Sequence, residues 1–160
     1  MSWVAVDCKH MNAAVRVAPN ESWPLHEKER HFELGSLLSC AVTDIASPAK
    51  IGELGLSHAG CWECDLSDDS RLFWSGGVFD IFGLPRGAPI AREEAVRFYA
   101  EHSRAAMERL RSHAIRHLQG FTLDAEIRPP TGKARWMRLI GAPVCKKGRA
   151  VRLHGIKLII

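Results

Sequence analysis

The sequence predicts an α+β fold, a five-stranded antiparallel sheet with its helices grouped on one face and a helical extension before it. Three observations carry that expectation. Two short strand patterns, Gly60 to Leu66 and Leu72 to Ser75, flank the turn-forming tetrapeptide Ser67-Asp68-Asp69-Ser70. One amphipathic stretch opens at Ser103 and is stopped by Gly120, with Met107, Leu110, Ala114 and Leu118 on a single face. Three strand patterns then fill the rest of the chain, from Phe121 to Ile160. Strands before and after a block of helices give the order β-β-α-α-α-β-β-β, an antiparallel layout with segregated helices.

Taken in order, residues 1–25 mix Trp3, Cys8, Pro19, Trp23 and Pro24 without a sustained period and read as an arm. From about His26 the spacing predicts a helix. Leu34, Leu37, Leu38, Ala41, Val42 and Ile45 recur at intervals of three and four along one stripe. Such a stripe must be buried, and a second copy of the chain is the expected cover. Leu34, Leu37, Leu38, Ala41 and Ile45 are therefore the predicted dimerisation residues. This divides the chain into an arm and amphipathic helix, 1–46, and a domain, 47–160. Ser47-Pro48 restarts the chain with an N-cap and a first-turn proline, and predicts a short helix from Pro48 to about His58.

Beyond the first hairpin, short helical pieces are expected at Gly76 to Phe82, ended by Gly83 and Pro85, and at Ala91 to Ala100. Ser103 is read as the cap of the long helix. Phe121, Leu123, Ala125 and Ile127 alternate with Thr122, Asp124, Glu126 and Arg128, a strand with its apolar side toward the helices. Pro129-Pro130-Thr131-Gly132 turns it back, Lys133 to Cys145 is the next strand, and Lys146-Lys147-Gly148 leads into the last, from Arg149.

The motifs along these elements occur in a recognisable order: Gly60-x-Trp62-x-x-Asp65, Trp74-Ser75, Phe79-x-Ile81-Phe82-Gly83-Leu84-Pro85, and Gly132-x-x-Arg135-Trp136. Together they resemble the PAS domain, in the subtype that opens with Gly-x-Trp and closes with Gly-x-x-Arg-Trp. The resemblance spans about Pro48 to Ile160. It implies a non-catalytic sensor and dimerisation module of bacterial signalling proteins, acting on a downstream signalling protein. It also departs from the family. Glu101-His102-Ser103-Arg104 replaces Pro-Asp-Asp-Arg before the long helix, and the Asp-Ile-Thr ending is absent, so a C-terminal effector in the same chain is not expected. The Asn-Cys-Arg-Phe string of flavin-binding relatives does not occur either, so no photoactive thiol is expected.

Trp74, Phe79, Phe82, Leu110, Ala114 and Trp136 are the candidates for lining an interior pocket for a small ligand, and equally for a plain packed core. No cofactor is the expectation. The haem-binding branch of the family makes His113 and His117, an i, i+4 pair on the long helix, the alternative. No metal site and no catalytic set are predicted. Cys61-Trp62-Glu63-Cys64 spells C-x-x-C, but inside a strand the two thiols point to opposite faces and neither bond nor chelate.

In bulk the chain carries a formal net charge of +4, with 46% hydrophobic and 25% charged residues, which suits one globular domain. No apolar run reaches membrane-spanning length, and the N-terminus lacks a secretory pattern, so a cytoplasmic protein is expected. After Glu126 no acidic residue follows. That one-sign third keeps an anion or nucleic-acid partner open, against the simpler reading of basic side chains on strand faces.

Overall fold

The computed structural model describes residues 58–160 and, for its backbone, the segment Gly35–Leu38. The N-terminal arm, Leu34, Ala41 and Ile45 of the stripe, and nearly all of the helix expected from Pro48 lie outside the described residues.

The elements are β1 (Gly35–Leu38), β2 (Ala59–Asp65), β3 (Arg71–Trp74), α1 (Gly76–Phe82), α2 (Arg92–Arg97), α3 (Glu101–His117), β4 (Gly120–Ile127), β5 (Arg135–Lys146) and β6 (Arg149–Ile159). The sheet is antiparallel, in the order β1-β4-β5-β6-β2-β3. Five of these strands are the expected ones. The addition is β1, which pairs Gly35 with Leu123 and Leu38 with Gly120. Leu37 and Leu38 therefore belong to a strand at the sheet's flank, which corrects the continuous helix read from their spacing. In a four-residue window, Leu-Leu beside Gly and Ser satisfies either period, and pairing with β4 decides it.

The helices hold one side of the sheet because the strands alternate. Phe121, Leu123, Ala125 and Ile127 are at most 1% exposed, as the sequence predicts, and they meet Met107, Leu110 and Ala114 of α3 in one core. Ser103 is not the cap of α3. The helix begins at Glu101, and Ser103, wholly buried in its first turn, accepts a 2.9 Å hydrogen bond at Oγ from the Glu126 amide. It fastens helix to sheet. Ser103→Ala orphans that amide and is expected to cost about 1–3 kcal/mol, read as a shift in the urea midpoint.

Several motif residues act through geometry. A Cβ on Gly60 would stand 2.4 Å from the Val78 amide nitrogen, so only glycine lets α1 approach β2. Gly83, at φ 64°, ends α1 in the left-handed region, and the Leu84 amide donates back to the Phe79 carbonyl. Asp65 Oδ1 accepts from the Ser67 amide and hydroxyl at 2.9 and 2.6 Å, closing the hairpin turn.

Trp136 corrects a second expectation. It is 43% exposed, because it lies one step out of phase with the buried Met137 and Leu139 and pairs with Glu126 on the outer face. Its ring lies 6.4 Å from that of His102. Trp136→Ala should consequently cost no more than about 1 kcal/mol. A loss of 3–5 kcal/mol in a denaturation curve, the scale for a core aromatic, would show that the ring is buried after all.

Candidate functional site

The helices and the inner face of the sheet border a partly open cavity of about 50 Å³. Trp62 and Cys64 of β2, Trp74 of β3, Met107 of α3, and Tyr99 between α2 and α3 are among its walls, together with three basic residues, Arg92 of α2, Arg111 of α3 and Lys157 of β6. On β6 the side chains in phase with buried Leu153 point inward, and Lys157 is in that phase, opposite Gly60 and Leu139 on the neighbouring strands. It is only 6% exposed.

The surroundings of the ammonium are aromatic. Nζ stands 4.8 Å from the centroid of Phe82, 5.2 Å from Trp74, 5.4 Å from Tyr99 and 5.7 Å from Trp62, all within cation–π range. It donates one hydrogen bond, 2.9 Å long, to Tyr99 Oη. Among the described residues no acid lines the cavity. Burial pulls the Lys157 pKa down to about 7, against a weak opposing pull from Cys64. Burial, followed by the nearby Glu108 charge, drives Tyr99 well above the usual phenol range, so its hydroxyl keeps its proton.

The other polar walls already have partners. Trp62 Nε1 donates to the Ile140 carbonyl at 3.2 Å, and Arg111 donates to Ser70 Oγ at 3.1 Å. Arg92 of α2 is held by Glu108 of α3.

Of the sequence-predicted pocket residues, Trp74 lines the cavity, and Phe82 faces it only through the Lys157 cage. Phe79, Leu110 and Ala114 are buried but do not line it, Leu110 and Ala114 lying in the same core and Phe79 edge-on to Trp74 at 5.5 Å, and Trp136 is on the outer face. The rings of His113 and His117 lie 4.3 Å apart, tilted by 32°, near the C-terminal end of α3, and neither lines the cavity. His113 is buried, not turned to water as its position beside the stripe suggests, and its Nε2 is hydrogen-bonded to Gln119 Oε1 at 3.0 Å. The His117 pKa is lowered, by desolvation first and then by the His113 and Arg116 charges. No histidine among the described residues lines the cavity, so the His113–His117 pair is not placed to ligate a haem iron there. Among the described residues no cluster of three or more His, Cys, Asp and Glu side chains is placed to hold a metal.

Cys61 and Cys64 face opposite sides of β2, as strand geometry requires, and burial pushes the Cys61 thiol up, away from a reactive thiolate. His154 stands beside Glu63, not beside Cys61 or Asp65, and its buried Nε2 has no hydrogen-bond partner. On the outer face Arg138 clasps Asp124 at 2.6 Å and Arg152 meets Glu63 at 2.8 Å, so part of the acid-free third is neutralised by earlier strands. No described helix is long and apolar enough to cross a membrane.

The pocketed half-barrel of sheet and helices is the PAS architecture. A sensory box histidine kinase/response regulator from Burkholderia thailandensis superposes with a TM-score of 0.59 at 17% identity, over 71% of this chain and 85% of that one. The N-terminal domain of a diguanylate cyclase with PAS/PAC sensor from Marinobacter aquaeolei gives 0.57 at 14% identity, over 63% and 94%. An RNA-binding light-oxygen-voltage receptor gives 0.57 at 10% identity, over 64% of this chain and only 29% of the receptor. No family model matches the chain, and no curated protein is similar to it in sequence. At identities this low the likeness establishes the fold, and the fold is that of a PAS domain.

Lys157 escaped the sequence reading, which counted it among the basic residues of the strand faces. Leu153, Gly155 and Lys157 share one phase of β6, but Ile156 in the opposite phase is buried as well, so no clean alternation marks Lys157 as inward-facing.

Proposed function

We propose that the chain is a non-catalytic sensory module that binds a small molecule in the cavity around Lys157 and relays its presence to a partner signalling protein. The observation that supports this is a buried amine, caged by aromatic rings, with no acid among the residues lining its cavity. A core selected for stability alone has no use for it, because a hydrophobic side chain of equal length avoids the desolvation cost. Polar groups that tax the fold gather where a ligand is recognised.

The test is titration of the intact chain with 1-butanol and with sodium butyrate, following indole N–H resonances. Trp62 and Trp74 should shift and Trp136 should not. If neither probe moves Trp62 or Trp74 up to tens of millimolar, the ligand-binding reading falls.

Self-association belongs to this reading through residues 1–46, although Leu37 and Leu38 are used by the sheet. Light scattering is expected to give twice the 17.8 kDa chain mass. A monomer at tens of micromolar would remove dimerisation from the proposal.

A further inference from the structure

Resting on that ligand-binding reading, the chemical class of the ligand follows from how the donors in the cavity are placed. An ammonium has three N–H donors. Lys157 Nζ gives one hydrogen bond to the Tyr99 oxygen, and among the described residues no carboxylate lines the cavity to meet the other two N–H groups. The Tyr99 hydroxyl accepts from Nζ and keeps its own proton to donate. Two donor atoms 2.9 Å apart then face the same small space. That spacing suits the two oxygens of one carboxylate, each taking one hydrogen bond.

The aromatic rings favour the cation but bring no negative charge, so they soften the desolvation of the ammonium without cancelling it. An entering anion would complete the pair. The remaining walls are apolar, with Leu72, Val96, Met107 and Leu139 among them. The cavity is small, about 50 Å³, and partly open. A small space with mostly apolar walls and its donors at one place suits a carboxylate on a short hydrocarbon. Arg92 and Arg111 add positive potential in the same walls, and their recorded hydrogen bonds go to Glu108 and Ser70.

We propose that the cavity binds a short-chain monocarboxylate, its carboxylate on Lys157 Nζ and Tyr99 Oη and its alkyl end among the aromatic and aliphatic walls.

The experiment compares sodium butyrate with 1-butanol and butylamine at equal ionic strength and pH 6.5, on the full chain, by the Trp62 and Trp74 indole resonances. Butyrate should bind at least about tenfold tighter than 1-butanol, the effect of one well-placed charge-assisted hydrogen bond. Butylamine should not bind. Lys157→Met should retain 1-butanol and lose the preference for butyrate. Tyr99→Phe, which removes one donor and keeps the ring, should lower that preference several-fold, and it serves as the check should Lys157→Met fail to fold. Equal or weaker binding of butyrate than of 1-butanol overturns the carboxylate assignment and leaves a small-molecule site standing. So does a butyrate preference that survives in Lys157→Met. Silence toward both probes overturns this assignment and the ligand-binding reading together.

Discussion

Lys157→Met is expected to stabilise the protein, by about 2–3 kcal/mol at pH 6. Burial lowers the Lys157 pKa from 10.5 to about 7, which corresponds to a charging cost on the order of 5 kcal/mol. Cation–π attraction from the cage of Trp62, Trp74, Phe82 and Tyr99 offsets about 2 kcal/mol of it and lifts the folded-state pKa, so about 7 is the lower edge of the titration window. Methionine keeps the length of the side chain and removes the ammonium, the kind of exchange that stabilises cores elsewhere. The pH dependence has a definite sign. Between pH 7 and 10.5 the unfolded chain binds the proton and the folded one does not, so wild-type stability rises with pH across that window. Below pH 7 the whole penalty is present in the wild type, and above 10.5 none of it is. The gain from Lys157→Met should therefore be largest at pH 6 and small near pH 10.5. Urea denaturation of both proteins at the two pH values measures it. A variant less stable than wild type at pH 6 would mean that the ammonium is favourably compensated, and the site would lose its functional interpretation.

Gly155→Ala should go the other way and abolish the fold. A Cβ at Gly155 would lie 1.8 Å from the Ile140 carbonyl oxygen and 2.8 Å from its carbon. Both atoms are backbone, at the pairing of the central strands β5 and β6, where Gly155 stands opposite Gly141. No rotamer change relieves a clash with backbone, so the strands must separate. The expected loss is about 3 kcal/mol or more, beyond the ordinary cost of an overpacked core. Gly148→Ala is the control: nothing lies within 4 Å of its Cβ, and only the positive φ of 73° penalises it, by about 1 kcal/mol. Circular dichroism of the purified variants separates the two. A folded Gly155→Ala with an unchanged midpoint would refute the β5–β6 register.

These two residues also mark where the sequence speaks and where it falls silent. Strand and helix periods place Phe121, Leu123, Ala125, Ile127, Leu110 and Ala114 correctly, because burial enforces a period along a regular element. The period fails where an element is short. Gly35–Leu38 and Trp136 each hinge on a single step of phase, and only the neighbouring strand settles it. The site was harder still. A lysine in a strand is read as pointing outward, since buried lysines are rare, and the aromatic rings that cage it come from β2, β3, α1 and the segment before α3. Convergence of that kind has no spacing in the sequence.

The flanks of the sheet carry a consequence for how copies of this domain can meet. Beyond β1, which pairs with Gly120 to Leu123, the segment before α3 runs along the same side of β4: the Ala100 amide donates to the Glu126 carbonyl, and the Arg128 amide to that of Phe98. Among the described residues only a short gap around Asp124 and Ala125 is left uncovered there. At the far side β3 is just four residues long, and Arg71 lies 5.2 Å over the exposed ring of Phe73. Neither flank of the described sheet is a long, flat template for another chain's strand, the usual seed of ordered aggregation. Strand addition is disfavoured at both ends of the described sheet, so pairing of two copies through it would use its faces and not its edges.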